Sequence, residues 1–440
     1  MIEVIVNRPS FEYDIHSLVK SFFPREDVQI HVQDTFTEDT ALRISVEFTD
    51  ETVSICLMEQ GEEKESGASV INYAERKETK NRLKRQLYQL LCAYTGQTLP
   101  WGTLTGIRPA KIAMGLIEQG MSNVETAEYM RNTYLASKEK VALSVMIANR
   151  ERYVLRNIDY KDGYSLYVGI PFCPSICLYC SFSSYPLERW QKQVDQYLDA
   201  LCKELDYVAD RFRDKKLNTV YIGGGTPTTL EPYQLDRLLT RIQSKFDTEH
   251  LQEFTVEAGR PDSITREKLQ VLLDHGIDRI SINPQTMNQK TLEIIGRHHT
   301  VDQVKEAFTL ARSMGFAHIN MDLIVGLPGE SYDDVEHTMK ELEAMAPDSV
   351  TVHSLAIKRA ARLSLFKDKY EEMGLENNMQ IMDMTARYCA EMGLSPYYLY
   401  RQKNMAGNFE NVGYAQPEKA GIYNILIMEE KQTIVACGAG

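Results

Sequence analysis

No stretch of this 440-residue sequence approaches the ~20 consecutive apolar residues that a membrane helix needs. Basic charge is also short. The chain has 49 Lys and Arg against 62 Asp and Glu, a formal net charge of -13, and such a balance does not suit a general nucleic-acid or anionic-membrane surface. The opening MIEVIVNRPSFEYD has neither the basic leader nor the long apolar core of a secretory signal. Low-complexity tracts and short repeats are missing too. These absences predict a cytoplasmic protein of small-molecule chemistry, with no nucleic-acid partner and no membrane span. With 43% hydrophobic and 25% charged residues, the composition is that of a globular chain with room for two or three domains.

Cysteine is scarce and unevenly placed. Cys56, Cys92, Cys202, Cys389 and Cys437 are scattered without the spacing of a disulfide framework, as reduced thiols are in a cytosolic enzyme. The other three, Cys173, Cys177 and Cys180, crowd into IPFCPSICLYCSF. A structural zinc ion wants a fourth ligand nearby, and the flanking histidines, His31 and His250, are far off in sequence. Three thiolates from one short loop suit three irons of a cubane [4Fe-4S] cluster, with the fourth iron left to a non-protein ligand.

The periodicity divides the chain into residues 1–160, an α/β module followed by helices; 161–360, a regular strand-and-helix repeat; and 361–440, a C-terminal region expected to be truncated inside IVACGAG. In the first part MIEVIVN, VQIHVQD, LRISVEF and TVSICLM read as strands, with a helix at SLVKSFF and a long one from Arg76 to about Tyr94. From Leu166 onward LYVGIPF, TVYIGGG, EFTVEAG, RISINPQ, HINMDLIVG and SVTVHSLAI alternate with helical segments such as PYQLDRLLTRIQSKF. Six βα units predict a parallel α/β sheet, either doubly wound or an open (β/α)6 barrel. Both place ligands at the carboxyl ends of the strands. The unusual residues fall there: the cysteine loop after strand one, GGGTPT after strand two, Glu257 ending strand three, Gln285 ending strand four, and Asp322 in strand five.

A cysteine triplet with CxxxCxxC spacing after the first strand of such a repeat resembles the radical S-adenosylmethionine (SAM) enzymes, whose open (β/α)6 barrel carries the cluster. LYVGIPFC, GGGTPT, VEAG, RISINPQTM, IGRHHT and NMDLIVGLPGE resemble the ordered motifs of oxygen-independent coproporphyrinogen III oxidases. TVHSLAIKRA, YLYRQKNMAGNFENVGYA and WGTLTGIRPAKI are similar to the HemZ-type branch, the coproporphyrinogen dehydrogenases. The resemblance implies two cofactors, a [4Fe-4S] cluster on Cys173, Cys177 and Cys180, and SAM chelating the open iron. Electron transfer from the cluster then cleaves SAM to methionine and a deoxyadenosyl radical. By the same resemblance Gly224, Gly225 and Thr226 cradle the methionine part of SAM, Glu257 takes the ribose hydroxyls, and Gln285, Arg297 and Asp322 line the SAM pocket. Tyr167 contacts SAM near the cluster. Tyr179 shields cluster and adenine, with Phe182 packed beside it. Bland readings stand beside several of these: a core aromatic for Tyr167, a helix-end cation for Arg297, a buried capped carboxylate for Asp322.

The implied activity is oxidative decarboxylation of coproporphyrinogen III propionates to vinyl groups, giving protoporphyrinogen IX. The partners are a porphyrinogen substrate together with an electron donor and an acceptor that the sequence does not name. Arg359 and Arg401 are the expected propionate contacts, against the alternative of a solvated basic face. The sequence departs from the better-known pattern at Gly169, where relatives have histidine, and at Phe182, where some carry a fourth cysteine. A haem carrier and a haem-directed methyltransferase are the competing functions. The stretch ENVGYA lacks the histidine and tryptophan of the carriers' HNxxYW.

Overall fold

A computed structural model describes residues 1–32, 40–106, 108–357, 361–365, 373–402 and 409–439. The chain divides into two compact units, Met1–Met146 and Ile147–Gly440. In the first, five strands, β1 (Ile2–Val6), β2 (Val28–Val32), β3 (Leu42–Phe48), β4 (Thr52–Glu59) and β5 (Glu62–Val70), form one sheet in the order β2-β1-β3-β4-β5. The pairs of β1 with β2 and β3 are parallel, and the remaining two are antiparallel. Strict alternation in β3 buries Leu42, Ile44, Val46 and Phe48. The helices Glu12–Phe22 and Arg76–Thr95 contribute Ile15, Leu18, Leu83, Leu87 and Leu91 to the same core.

The second unit holds a nine-stranded sheet. Its strands are β6 (Gly163–Ile170), β9 (Lys216–Gly224), β10 (Glu253–Glu257), β11 (Arg279–Ser281), β12 (His318–Val325), β13 (Ser349–Ser354), β14 (Ser395–Tyr400), β15 (Asn411–Ala415) and β16 (Thr433–Gly438). Two further strands, β7 (Phe172–Cys173) and β8 (Tyr185–Pro186), pair with each other. The order β14-β15-β13-β12-β11-β10-β9-β6-β16 contains the six expected strands as an unbroken parallel run, β6-β9-β10-β11-β12-β13. Among the described residues the ends of that run do not pair with each other, as in an open barrel. On its flanks β16 adds in parallel to β6, while β15 and β14 add antiparallel beyond β13.

The helices between strands form as their apolar spacing dictates. Pro232 opens the helix Pro232–Lys245, Glu231 and Gln234 cap it reciprocally, and Leu235, Leu238, Leu239 and Ile242 face inward. Capping boxes at Thr300 and Ser331 start two others.

A segment after β15 covers the amino ends of the parallel strands. Gln416 N donates to Asp348 O at 3.0 Å, Lys419 Nζ to Ala317 O at 2.8 Å, and Arg279 Nη2 to Lys419 O at 3.2 Å. Ile422 N donates to Glu253 Oε2 at 2.5 Å, and Asn218 Nδ2 to Gln432 Oε1 at 3.0 Å. One end of the open barrel is thereby covered, and the unusual residues fall at the other, carboxyl end. Among the described residues no helix is long and apolar enough to cross a membrane.

Candidate functional site

Each parallel strand delivers its unusual residues to the same rim. Strand β6 runs into the cysteine loop, which the β7–β8 pairing and the bond from Tyr185 N to Pro171 O (2.8 Å) draw closed. Within it Cys180 N donates to Cys177 O at 3.2 Å. Leu178 enters an apolar cluster with Leu292, Ile295, Ile324, Leu327, Leu355 and Leu363, and its backbone is held on both sides: Leu178 N to Ile295 O at 2.8 Å, Leu363 N to Leu178 O at 2.9 Å. The loop therefore reaches across the rim to the ends of β12 and β13.

The three thiols sit close enough to feel one another. Burial pushes Cys173 up to about 11, the neighbouring Cys177 and Cys180 add to that, and a hydrogen bond from Thr226 Oγ1 (3.6 Å) with the Arg260 charge opposes it. Cys180 is raised by burial as well, against the Phe182 and Ser184 hydrogen bonds. Such thiols are poor free nucleophiles and need a cation to lose their protons. Among the described residues no three His, Cys, Asp or Glu side chains converge enough to share one metal ion. A cubane asks for something different, one thiolate for each of three irons.

The glycines after β9 answer a steric demand. A Cβ on Gly225 would stand 2.6 Å from Phe172 O and 2.9 Å from Ile170 O, and one on Gly224, which has φ 103°, would meet Ile170 and the Tyr167 hydroxyl. Gly225 N and Thr226 N donate to Ile170 O (2.7 Å) and Phe172 O (2.8 Å). The triplet thus locks its turn onto the start of the cysteine loop. Gly225→Ala should force that contact apart, lowering stability by about 1–3 kcal/mol and loosening iron retention; a thermal melt and an iron assay on the reconstituted protein check both.

Glu257 ends β10 as expected. Tyr221 donates to its Oε1 at 2.6 Å. Burial pushes the carboxyl up to about 7, with Asp322 adding to the rise and Tyr221 opposing it. Tyr167, Tyr221 and Tyr423 stack nearly parallel, with centroids 6.3 Å apart between the first two and 4.5 Å between the last two. Burial raises Asp322, but its polar neighbours His353 (Nε2 3.8 Å from Oδ2), Asn320 (Nδ2 2.7 Å from Oδ1) and Thr351 outweigh that and keep it low.

Gln285 does not end a strand, since β11 stops at Ser281. It sits beyond it with φ 67°, bridged to Leu323 through bonds to Asp322 O and from Ile324 N. A left-handed glutamine is strained, and the strain aims its side chain inward, where Oε1 is buried without a hydrogen-bond partner. Ser281 Oγ and Arg297 Nε are in the same state. Arg297 is buried at 5% exposure, bonded to Asn283 O, and faces Cys177 and Tyr179.

Two expectations land differently, and a third falls where no residues are described. Phe182 is 72% exposed and is not packed beside Tyr179, because the loop turns outward after Cys180. Arg401 is neither an open propionate clamp nor part of a solvated face: it is 4% exposed, and Glu410 already faces its charge. Arg359 lies outside the described residues. Residues that spacing did not flag also line the rim, among them Asn283, Asn320, His353, Tyr221 and Arg260. Only Tyr221 carried a local signal, next to the glycine triplet.

Residues 167–342 match the Radical SAM superfamily. The oxygen-independent coproporphyrinogen-III oxidase-like protein HemZ of Bacillus subtilis is 44% identical over 368 residues, 83% of this chain and 74% of that protein. The heme chaperone HemW of Lactococcus lactis is 36% identical over 229 residues, 51% of this chain and 59% of its own length. In fold, the chain is similar to the solved coproporphyrinogen III oxidase (HemN) from Escherichia coli, described as a radical SAM enzyme. The TM-score is 0.52 and the identity 24%, over 65% of this chain and 66% of that one. Open sheet and cysteine loop together define a radical SAM domain, the class that uses a [4Fe-4S] cluster and SAM. Within that class the chain belongs to the family of oxygen-independent coproporphyrinogen-III oxidase-like proteins.

Proposed function

We propose that this protein oxidatively decarboxylates two of the four propionates of coproporphyrinogen III to vinyl groups, yielding protoporphyrinogen IX. The observation that carries the reading is the meeting, on one rim, of three mutually interacting thiols with buried polar atoms left unpaired at Ser281, Gln285 and Arg297. Leaving such atoms unsatisfied costs about 1–3 kcal/mol each, which a polar ligand on the rim would offset. The choice of substrate is supported by family membership.

In this reading Cys173, Cys177 and Cys180 hold the cluster, and Gly224, Gly225 and Thr226 fit the methionine part of SAM against β9. Glu257, anchored through one oxygen by Tyr221, offers the other to the ribose. Gln285, Arg297 and Asp322 fix the remaining polar groups, Tyr167 and Tyr179 flank them, and the exposed Phe182 guards the mouth. Bound together, cluster and SAM supply one-electron chemistry able to take a hydrogen atom from unactivated carbon. Each of the two propionates converted gives up one hydrogen atom, one carbon dioxide and one electron to become a vinyl group, so an electron acceptor completes every turnover.

The test is anaerobic reconstitution with SAM, reductant and coproporphyrinogen III. The expected result is 5'-deoxyadenosine formed together with the monovinyl and divinyl products. Deoxyadenosine without vinyl formation would redirect the proposal to another substrate, and tight haem binding with neither product would favour a carrier.

A further inference from the structure

Arg260 follows β10 and is buried, its side chain 3% exposed. Two of its three guanidinium nitrogens are committed to Asp262: Nε lies 3.0 Å from Oδ1 and Nη2 2.6 Å from Oδ2. The third, Nη1, turns into the cysteine loop, donating to Ser175 Oγ at 2.8 Å and Ser175 O at 3.3 Å, with Cys177 Sγ at 4.0 Å. Ser175 Oγ in turn donates to Gly296 O at 2.9 Å. The other groups around this ion pair are Arg297 and His299. The latter is fully buried with neither ring nitrogen partnered, and burial beside two guanidiniums keeps it neutral.

We propose that Arg260 tunes the reduction potential of the cluster held by Cys177 and its two companions, and that Asp262 sets how much of the arginine's charge the cluster feels. The inference rests on the reading that the three cysteines carry a cluster. Its physical basis is simple. Reduction adds one negative charge to the cluster, so a buried cation and an N–H directed at a ligand sulfur favour the reduced form and raise the potential, whereas a nearby carboxylate lowers it. The fork leaves Nη1 as the nitrogen free to serve the loop, and it holds the guanidinium where it cannot swing to solvent. Arg260 is a positioning and tuning residue here; it need not touch substrate.

A latch that merely held Ser175 would give the same hydrogen bonds, so the test reads potential. Full-length wild type, Arg260→Met, Arg260→Lys and Asp262→Asn are reconstituted anaerobically, assayed for iron and sulfide, and titrated against mediators with the reduced cluster followed by electron paramagnetic resonance. At a fixed potential, the reduced-to-oxidised ratio is expected to fall about tenfold in Arg260→Met, a shift of about 59 mV to the negative. It should rise in Asp262→Asn and fall less in Arg260→Lys. Equal potentials in iron-replete variants, or shifts of the same sign for Arg260→Met and Asp262→Asn, would overturn the proposal. If Arg260→Met cannot hold iron, Asp262→Asn alone decides by its direction. Failure of the wild type itself to take up a cluster would strike the underlying cluster reading, and the tuning proposal would fall with it.

Discussion

Cys177→Ala is expected to give a folded protein that no longer retains iron and sulfide after reconstitution. Cys177 is the middle sulfur of the triplet and the most buried at 8% exposure; it faces Arg260, Arg297 and Tyr179. Two thiolates remaining on a cubane would leave two irons without a protein ligand, and the buried cations near the loop would lose the negative charge they face. The loss of packing is small, since exchanging one buried sulfur for hydrogen costs on the order of 1 kcal/mol. The loop keeps its anchors at Leu178, Ser175 and Tyr185. Cys202→Ala is the matched control: that thiol is equally buried, at 9%, in the helix Val194–Arg211, far from the triplet in sequence. Iron, sulfide and the visible absorption band should vanish in Cys177→Ala and persist in Cys202→Ala, while thermal melts of the two apoproteins stay close. Equal iron in both would remove the triplet from the mechanism.

The second large effect is on pH. Glu257 has its carboxyl raised by burial to about 7 in the fold, above the ordinary value of 4.5. A raised carboxyl contributes stability that is complete below the unfolded value and disappears as pH climbs through the folded one. Between pH 4.5 and 7 the apoprotein should lose stability on the order of 3 kcal/mol from this group. Ribose hydroxyls prefer the ionised carboxylate, so binding of SAM should reclaim that loss on the alkaline side. The affinity ratio of wild type to Glu257→Gln is expected to be near unity at pH 5.5 and to rise about tenfold by pH 8, as hydrogen bonds to a charged acceptor gain over neutral ones. Taking the ratio cancels the titration of SAM's own amine, and calorimetry at both pH values checks it. A flat ratio would take the ribose out of Glu257's reach.

What the amino-acid pattern disclosed, and what it hid, follows from the range of the interactions. Alternation and turn glycines act over a few residues, so the six parallel strands and the helix Pro232–Lys245 were legible. The cysteine triplet was legible for the same reason, its chemistry being written in one loop. Strand β5 was not read, because EEKESGASV is polar on both faces; it is a strand by virtue of pairing with β4. Gln285 was placed on the correct rim but assigned to a strand end, since nothing local announces a left-handed glutamine held by backbone bonds to β12. Arg260 escaped notice because its importance comes from Ser175 and Cys177, more than eighty residues earlier. The segment that covers the amino end of the barrel was equally silent, its contacts reaching back to Asn218, Glu253, Arg279 and Ala317. Phe182 and Arg401 show the limit in the other direction. Their residue types suit a shield and a clamp, but exposure in one case and an acidic neighbour in the other are properties of the folded chain.

The most direct test of the account is the electron paramagnetic resonance spectrum of the reduced, anaerobically reconstituted protein with and without SAM. A loop that supplies three sulfurs leaves one iron open, so SAM should change the g-values of the cluster signal while iron content stays constant. A spectrum that does not respond to saturating SAM would contradict the account at its centre.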